Sequence, residues 1–396
     1  MKPYTHQQKF KKGYSGSRII AHEGGTGKTI CACLWLADGK DEDALVICPK
    51  RVVKKWQKAL KDWGTKAEVV TPDEFKKMEK RKVSALVVDE ADEFAAPLFV
   101  GDGSARSKVL YNYVKDYSPE ILLLSATPVR STAWNLHTIL CYAGVYIPWK
   151  EFRAEFFELR YPEERGFGYL QHPSWLPKRD WRTKIREWEE KYCDIVLLSE
   201  CVKDLPPIIT ERITVSTPEF IITEDDYGFH ARHKWEQQNK AKEIIAKGRQ
   251  FRKILVVAQY TEQIEDLAEK LAKDKPTFVV HGKTKDQEAE LQAATAAEDC
   301  YLIVQASIGA GFDGNTFSCI IFASMSYAVR DFVQMMFRVR RIHDLHPVYQ
   351  VFIFGGECDH AVYENVQLGK DFVPSEWDKK IGFKEKQLSA SAYKVG

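Results

Sequence analysis

Short apolar runs alternate with longer stretches of mixed polarity along most of the chain. Runs of about four to eight apolar residues are typical of buried strands, and the stretches between them have the amphipathic character of helices. The runs of the first half are Arg18–Ala21, Ala44–Cys48, Glu68–Val70, Ala85–Val88, Ile121–Leu124 and Ile195–Leu198. Those of the second half are Ile254–Ala258, Thr277–Val280, Leu302–Val304, Cys319–Phe322 and Val348–Phe354. The alternation predicts an α/β protein with parallel sheets and crossover helices.

The alternation stops once, at Leu205, Pro206 and Pro207, and then begins again. A chain of 396 residues suits two domains of ordinary size. We therefore expect an N-terminal domain at residues 1–203, a connecting segment at 204–232 and a C-terminal domain with a terminal extension at 233–396. A helical insertion is expected within the first domain, at about residues 130–192.

A glycine-rich sequence, GGTGKTI at Gly24–Ile30, lies between the first predicted strand and the apolar run Cys31–Leu36. In this strand–loop–helix order, glycines let backbone amides point at phosphates and the helix N-terminus adds positive charge. Lys28 would reach the β- and γ-phosphates, and Thr29 would offer its hydroxyl to Mg²⁺. His22 stands where the common GxxxxGKT pattern has its first glycine. The predicted nucleotide contacts are Gly24, Gly25, Thr26, Gly27, Lys28 and Thr29.

Acidic and hydroxyl residues follow two later apolar runs. The run Ala85–Val88 ends in Asp89 and Glu90, which we assign to Mg²⁺ binding and to the general base that activates water. The alternative is a charged cluster that merely ends a strand. Ser125 and Thr127 follow the next run, where their hydroxyls can hydrogen-bond the acids and couple them to the state of the γ-phosphate.

Taken together, these segments resemble superfamily 2 helicases and translocases, most closely the Swi/Snf-type branch and compact virus-encoded DEAD/DEAH-type helicases. The first-half segments that carry the resemblance are HEGGTGKT at His22–Thr29, VICPKRVVKKW at Val46–Trp56, VVDEAD at Val87–Asp92 and LLLSATP at Leu122–Pro128. The second-half segments are Lys253–Leu271, VVHGKT at Val279–Thr284, ASIGAGFDG at Ala306–Gly314 and QMMFRVRRIH at Gln334–His343. Asp313 and Gln305 depart from the asparagine and threonine usual in the Swi/Snf-type branch.

The resemblance implies two tandem RecA-like domains that use ATP and Mg²⁺. It implies that Arg338 and Arg341 act as arginine fingers and that Gln334 contacts the nucleotide or the other domain; an arginine cluster solvated on a helix is the alternative. Gly311 and Asp313 are also implied as nucleotide contacts. Gln7, with Gln8 as the alternative, is similar to the glutamine that recognises adenine.

The resemblance also implies a track for the phosphates of double-stranded or branched DNA, bound without sequence preference. The residues assigned to this track are Lys50, Arg51, Lys54, Lys55, Trp56, Thr71, His281, Gly282, Lys283 and Ser307. The stretch Trp175–Tyr192 has two interpretations. Trp181, Ile185, Trp188 and Tyr192 share one helical face, which favours core packing, whereas the neighbouring basic residues suit a wedge that engages DNA.

Composition sets limits on these expectations. Lys and Arg number 58 against 56 Asp and Glu, so any nucleic-acid contact must be a local basic track. The nine cysteines form no CxxC pair, which favours reduced buried thiols over a zinc site. No apolar stretch approaches the roughly 20 residues of a membrane span, so we expect a soluble intracellular protein.

The function that these features predict is an ATP-dependent DNA translocase or helicase in replication or recombination. An RNA helicase is the enzymatic alternative. The alternative from another class is a nucleotide-gated DNA clamp with little turnover.

Overall fold

In a computed structural model the chain divides into two units, Met1–Asp204 and Leu205–Gly396. The structure describes residues 3–11, 13–16, 18–40, 42–98, 104–129, 133–161, 172–201, 206–218, 228–308, 314, 316–339, 346–369, 372, 374 and 377.

The main sheet of the first unit has six strands, all parallel, in the order β3-β2-β4-β5-β1-β8. The strands of this unit are β1 (Ile19–His22), β2 (Ala44–Ile47), β3 (Glu68–Val70), β4 (Ala85–Asp89), β5 (Glu120–Leu124), β6 (Phe157–Arg160), β7 (Ser174–Pro177) and β8 (Cys193–Val196). Its helices are α1 (Thr5–Gln8), α2 (Lys28–Leu36), α3 (Val53–Asp62), α4 (Pro72–Lys77), α5 (Ala105–Tyr117), α6 (Trp134–Tyr142), α7 (Trp149–Phe156), α8 (Trp181–Tyr192) and α9 (Leu198–Cys201). The predicted parallel sheet is confirmed.

Side chains alternate across this sheet, so each strand contributes to two cores. Ile20, Val46 and Val87 belong to the core shared with α2 and α3. Ile19 and Val88 point the other way and belong to the core that includes residues of α5, α6 and α7. Burial on both faces explains why these strands are continuous apolar runs in the sequence.

The predicted helical insertion contains α6, α7 and α8 and also an antiparallel hairpin of β6 and β7. Ile185 of α8 is buried, and Trp181, Trp188 and Tyr192 pack against the same core. This contact pattern supports core packing for that face of the helix. Trp175, on β7, is 36% exposed and lies under the Arg153 guanidinium, 4.0 Å from the ring centre.

The second unit has a six-stranded parallel sheet in the order β11-β12-β10-β13-β14-β9. Its strands are β9 (Ile208–Thr214), β10 (Lys253–Ala258), β11 (Thr277–Val280), β12 (Cys300–Gln305), β13 (Cys319–Phe322) and β14 (Val348–Phe354). Its helices are α10 (Phe229–Trp235), α11 (Ala241–Gly248), α12 (Thr261–Leu271), α13 (Gln287–Ala296), α14 (Val329–Val339) and α15 (Glu357–Gln367).

Strand β9 corrects the expected connecting segment, because Ile208–Thr214 pairs in register with all of β14. It is an edge strand with mostly exposed side chains, so it lacks the apolar run that marks a buried strand. Among the residues that the structure describes, no helix is long and apolar enough to cross a bilayer.

Candidate nucleotide-binding site

The segments that follow β1, β4 and β5 meet at one edge of the first sheet. These three strands are neighbours, and parallel pairing places their carboxyl ends together. Leu124 pairs with both Asp89 and Ile20, which fixes the register of the edge. Crevices outside the carboxyl ends of such strands are where ligands bind in open α/β sheets.

The glycine-rich loop after β1 has the backbone that a phosphate cradle needs. Gly25 and Gly27 both have φ of 86°, in the left-handed region that favours glycine. A Cβ on Gly27 would also lie 2.4 Å from Gln7 Nε2. Gly27 caps α2 without a side chain, so the first amides of that helix remain directed toward the loop. The loop thus fits a phosphate group on the two counts of backbone freedom and helix polarity.

Lys28, the first residue of α2, is folded against the loop. Its ammonium donates to the carbonyl of His22 at 2.8 Å and to that of Glu23 at 3.3 Å. Glu23 in turn holds the loop to the sheet edge, because its carboxylate accepts from the Leu198 amide at 2.6 Å. Sequence reasoning missed Glu23. The ammonium is thus held at the loop, where phosphate oxygens would replace carbonyl oxygens as its acceptors.

Gln7 requires a correction to its expected role. Its side chain is 0% exposed, so it offers no surface to an adenine base. Its amide nitrogen donates to the Thr26 carbonyl at 2.9 Å, and its amide oxygen accepts from the Tyr4 amide. Gln7 therefore ties α1 to the phosphate loop. Gln8, the alternative, is exposed and donates to the Pro3 carbonyl.

Asp89, at the end of β4, is held by a tryptophan. The indole Nε1–H of Trp56 donates to Asp89 Oδ2 at 2.8 Å, and the Glu90 amide donates to Oδ1 at 3.1 Å. Burial raises the pKa of Asp89 and outweighs the opposing effects of the Trp56 hydrogen bond and the nearby Lys28 charge. A bound dication would reverse that shift.

This contact corrects the expectation that Trp56 binds DNA. The residue is 1% exposed and lies in the core beside α2, so its ring has no surface for a nucleic acid. Its ring nitrogen instead donates to the carboxylate that we assign to Mg²⁺. The sequence around Trp56, a helical tryptophan that follows basic residues, does not predict its hydrogen bond to Asp89.

Glu90, the candidate general base, has φ of 52°. The left-handed conformation costs a non-glycine residue roughly 1–2 kcal/mol, and strained backbone of this kind clusters at functional sites. The conformation supports a functional assignment for Glu90 over a simple charged strand end.

Ser125 joins the end of β5 to the acidic segment. Its hydroxyl donates to Asp92 Oδ1 at 2.8 Å and accepts from the Thr127 amide at 3.0 Å. Asp92 is 1% exposed. The Thr127 hydroxyl is buried and has no hydrogen-bond partner among the residues that the structure describes. The predicted hydrogen bond between a hydroxyl and an acid is therefore present, and the coupling role remains a prediction.

The basic residues after β2 are accessible. Lys50, Arg51, Lys54 and Lys55 are exposed, and Arg51 forms an ion pair with Glu93 at 3.0 Å. Thr71 has a structural role as the N-cap of α4, where it forms a capping box with Glu74. Exposure of the lysines is compatible with contacts to phosphates.

In the second unit, the ends of β10, β11 and β12 are linked by Gln305. Its amide oxygen accepts from the Gly282 amide at 3.1 Å, and its nitrogen donates to the Gln259 carbonyl at 3.4 Å. Lys283 and Ser307 are exposed nearby in the fold's loops, and His281 is half-buried. The Swi/Snf-type branch usually has threonine at this position. The longer glutamine side chain reaches both neighbouring segments.

Of the candidate residues between positions 311 and 341, Gln334 and Arg338 lie in α14. Gln334 is buried, and its side-chain amide lies beside the Arg330 guanidinium; with the amide oxygen oriented toward Arg330, that oxygen accepts two hydrogen bonds, at 2.9 and 3.1 Å. Arg338 is half-buried, and its carbonyl accepts from the Gly314 amide at 3.1 Å. Arg341 and the candidate nucleotide contacts Gly311 and Asp313 lie outside the described residues.

Comparison with protein families identifies one match. Residues 236–343 match the family described as helicase conserved C-terminal domain. The match lies within the second unit. No curated protein sequence matches the chain significantly.

Two solved structures are similar to this chain over nearly its whole length. The chain is similar to Saccharomyces cerevisiae Dbp5 bound to RNA and ADP BeF3, with 12% identity, a TM-score of 0.56 and coverage of 97% of this chain and 93% of that one. It is also similar to the Sulfolobus solfataricus SWI2/SNF2 ATPase core in complex with dsDNA, with 13% identity, a TM-score of 0.42 and coverage of 98% and 96%. The predicted fold, two tandem RecA-like units with parallel sheets, is confirmed.

Proposed function

We propose that the chain is an ATP-driven motor that moves along double-stranded or branched DNA and serves in replication or recombination. The observation that carries the proposal is the convergence of the phosphate loop, Asp89 and Ser125 on adjacent strands of one sheet. The helicase C-terminal domain in the same chain supports a motor over an enzyme that hydrolyses nucleotide for another purpose.

The proposed site divides its work among a few residues. Lys28 and the loop amides bind the phosphates, and Thr29 and Asp89 hold Mg²⁺, with Trp56 fixing the orientation of Asp89. Bound Mg²⁺ neutralises phosphate charge. Glu90 accepts the proton of the attacking water. From the second unit we assign Arg338 and Arg341 to stabilising charge that develops on the transferred phosphoryl group.

DNA is the proposed track because the motifs resemble the Swi/Snf-type branch. The exposed Lys50, Lys54 and Lys55 supply charge for phosphates, which fits binding without sequence preference. The yeast protein of similar fold is bound to RNA, so RNA is the second candidate track.

The test is steady-state ATP hydrolysis with no nucleic acid and with duplex DNA, forked DNA, single-stranded DNA and RNA. We expect the largest stimulation with duplex or forked DNA. Stimulation by RNA alone would make the chain an RNA helicase, and no turnover with any of them would favour the nucleotide-gated clamp. Lys28→Ala should abolish the activity, whereas Lys58→Ala, an exposed lysine paired with Asp62, should not.

A further inference from the structure

Three side chains that commonly bind transition metals meet beside the phosphate loop. They are His6 on α1, His22 at the end of β1 and Cys31 in α2. One ligand atom of each lies within 4.8 Å of the ligand atoms of the other two. His22 and Cys31 are fully buried, and His6 is half-buried. The absence of a CxxC pair argued against a zinc site, but these residues come from three separate segments that only the fold brings together.

The proton on His22 can be located from its neighbours. His22 Nε2 lies 3.4 Å from Asp194 Oδ1. Asp194 is ionised, because it also forms an ion pair with the Lys9 ammonium at 2.6 Å. An ionised carboxylate only accepts, so Nε2 carries the hydrogen. The lone pair of the neutral ring is therefore on Nδ1, which lies 4.0 Å from Cys31 Sγ.

The protonated ring nitrogen of His6 can be identified in the same way. Its Nε2 lies 2.9 Å from the Thr26 carbonyl, which can only accept, so this nitrogen carries the hydrogen and Nδ1 has the lone pair. A further thiol is close by, because Cys201 Sγ lies 3.3 Å from Nδ1. Histidines that bind metals usually donate their other ring N–H to a carboxylate or a backbone carbonyl. Both arrangements are present here.

We propose that His6, His22 and Cys31 form a zinc-binding site. Two neutral imidazoles and a thiolate are the nitrogen and sulfur ligands that Zn²⁺ prefers. Zn–N bonds of about 2.0–2.1 Å and Zn–S bonds of about 2.3 Å place tetrahedral ligand atoms about 3.5 Å apart. Binding therefore draws the three side chains together by about 1 Å.

The site would join three elements around the loop that we assign to ATP. Helix α1 also carries Gln7, which donates to Thr26, so zinc would fix α1 against the loop from a second point. Cysteine binds zinc as a thiolate, so zinc must displace the thiol proton of Cys31, and zinc affinity should fall as the pH falls.

The test uses the full chain stripped of metal with a chelator and titrated with Co²⁺, which reports thiolate ligation through a near-ultraviolet charge-transfer band and tetrahedral geometry through visible absorption. We expect one Co²⁺ per chain, displaced by Zn²⁺. Cys31→Ala should lose the charge-transfer band, and its Co²⁺ affinity should fall at least about tenfold. Cys33→Ala is the matched control, because Cys33 is equally buried two residues along α2 and lies outside the group.

If Cys31→Ala does not fold, His6→Ala still tests the site. His6 is only half-buried, so its replacement should disturb folding less. It should weaken Co²⁺ binding while circular dichroism shows a folded chain. Absence of a thiolate band in the parent protein would overturn the proposal. So would Co²⁺ affinity that is unchanged in Cys31→Ala or in folded His6→Ala. These readouts do not depend on ATP hydrolysis, so the zinc site and the proposed motor function can fail separately.

Discussion

At the scale of single residues, the most informative finding is that Asp89 is oriented by an indole. A carboxylate buried at a strand end needs donors to hold it in place before a metal arrives. Trp56 and the Glu90 amide provide them. The sequence predicts the metal-binding acid, because an acid after an apolar strand is a local signal. It does not predict the tryptophan contact, which joins residues 33 positions apart.

Replacing Trp56 with phenylalanine tests this arrangement. Phenylalanine keeps most of the buried ring but removes the N–H donor to Asp89. We expect the Mg²⁺ concentration for half-maximal ATP hydrolysis to rise about tenfold, the lower end of the usual effect of losing such a support. Trp63→Phe, on a partly buried ring at the end of α3, is the control. An unchanged Mg²⁺ dependence in Trp56→Phe would reduce the contact to a packing role.

Glu90 gives the second prediction at this scale. Glu90→Gln preserves size but cannot accept the proton of the attacking water. Hydrolysis should slow at least about a hundredfold with ATP binding retained, since loss of a general base typically costs 10²–10⁴. The measurements are single-turnover hydrolysis and binding of a fluorescent ATP analogue. Lost affinity with an intact rate per bound nucleotide would assign Glu90 to structure or metal instead.

At the scale of elements, burial explains which parts of the fold the sequence reveals. Strands such as β4 and β10 are buried on both faces and are therefore visible as apolar runs. Strand β9 was not predicted, because its side chains are mostly exposed at a sheet edge and no apolar run marks it in the sequence. The sequence did not predict the group of His6, His22 and Cys31 either, for a different reason. Its members have no characteristic spacing, and only the packing of α1, β1 and α2 brings them together.

Three helices of the second unit meet through a buried polar network that the sequence did not indicate. Lys240, at the start of α11, is fully buried and pairs with Asp359 of α15 at 2.5 Å. His233 of α10 approaches the other Asp359 oxygen at 2.9 Å. In a buried ion pair, the attraction between the two charges offsets part of the free energy lost when both leave water. Loss of one partner therefore leaves the other charge buried without a compensating interaction.

We therefore expect Asp359→Asn to destabilise the second unit by about 3–5 kcal/mol at neutral pH. Adding Lys240→Met to that variant should recover part of the loss, because the remaining buried charge is removed. The measurement is urea unfolding followed by tryptophan fluorescence. A double variant no more stable than Asp359→Asn would contradict this coupling of the two charges.

The same network predicts that the stability of the second unit depends on pH. Burial would raise the pKa of Asp359, but the Lys240 charge and the His233 hydrogen bond outweigh it and lower this pKa to about 2. A depressed carboxyl pKa stabilises the fold above the unfolded value, about 3.9, and this contribution is lost as the pH falls toward 2. The stability difference between parent and Asp359→Asn should shrink over that interval.

At the scale of the whole molecule, the proposed motor has two distinguishable modes, separation of strands and movement along an intact duplex. Separation requires a rigid wedge, and the insertion after β5 is where the described chain offers a candidate. All three aromatic residues of α8 pack against the core of the first unit. Trp175 is exposed but is covered on one face by Arg153. Neither arrangement provides an open apolar edge at a junction.

We expect movement along duplex DNA without strand separation as the main outcome. The measurement is paired, using displacement of the third strand from a triplex to report duplex translocation and release of a labelled strand from a tailed duplex to report unwinding. ATP-dependent triplex displacement with little strand release is the predicted result, and Lys28→Ala should abolish it. Efficient release from the tailed duplex without triplex displacement would contradict it. Trp175→Ala would then test the hairpin as the wedge, with Trp188→Phe as a control for packing, because Trp188 contacts Phe152 and Phe156 in the core.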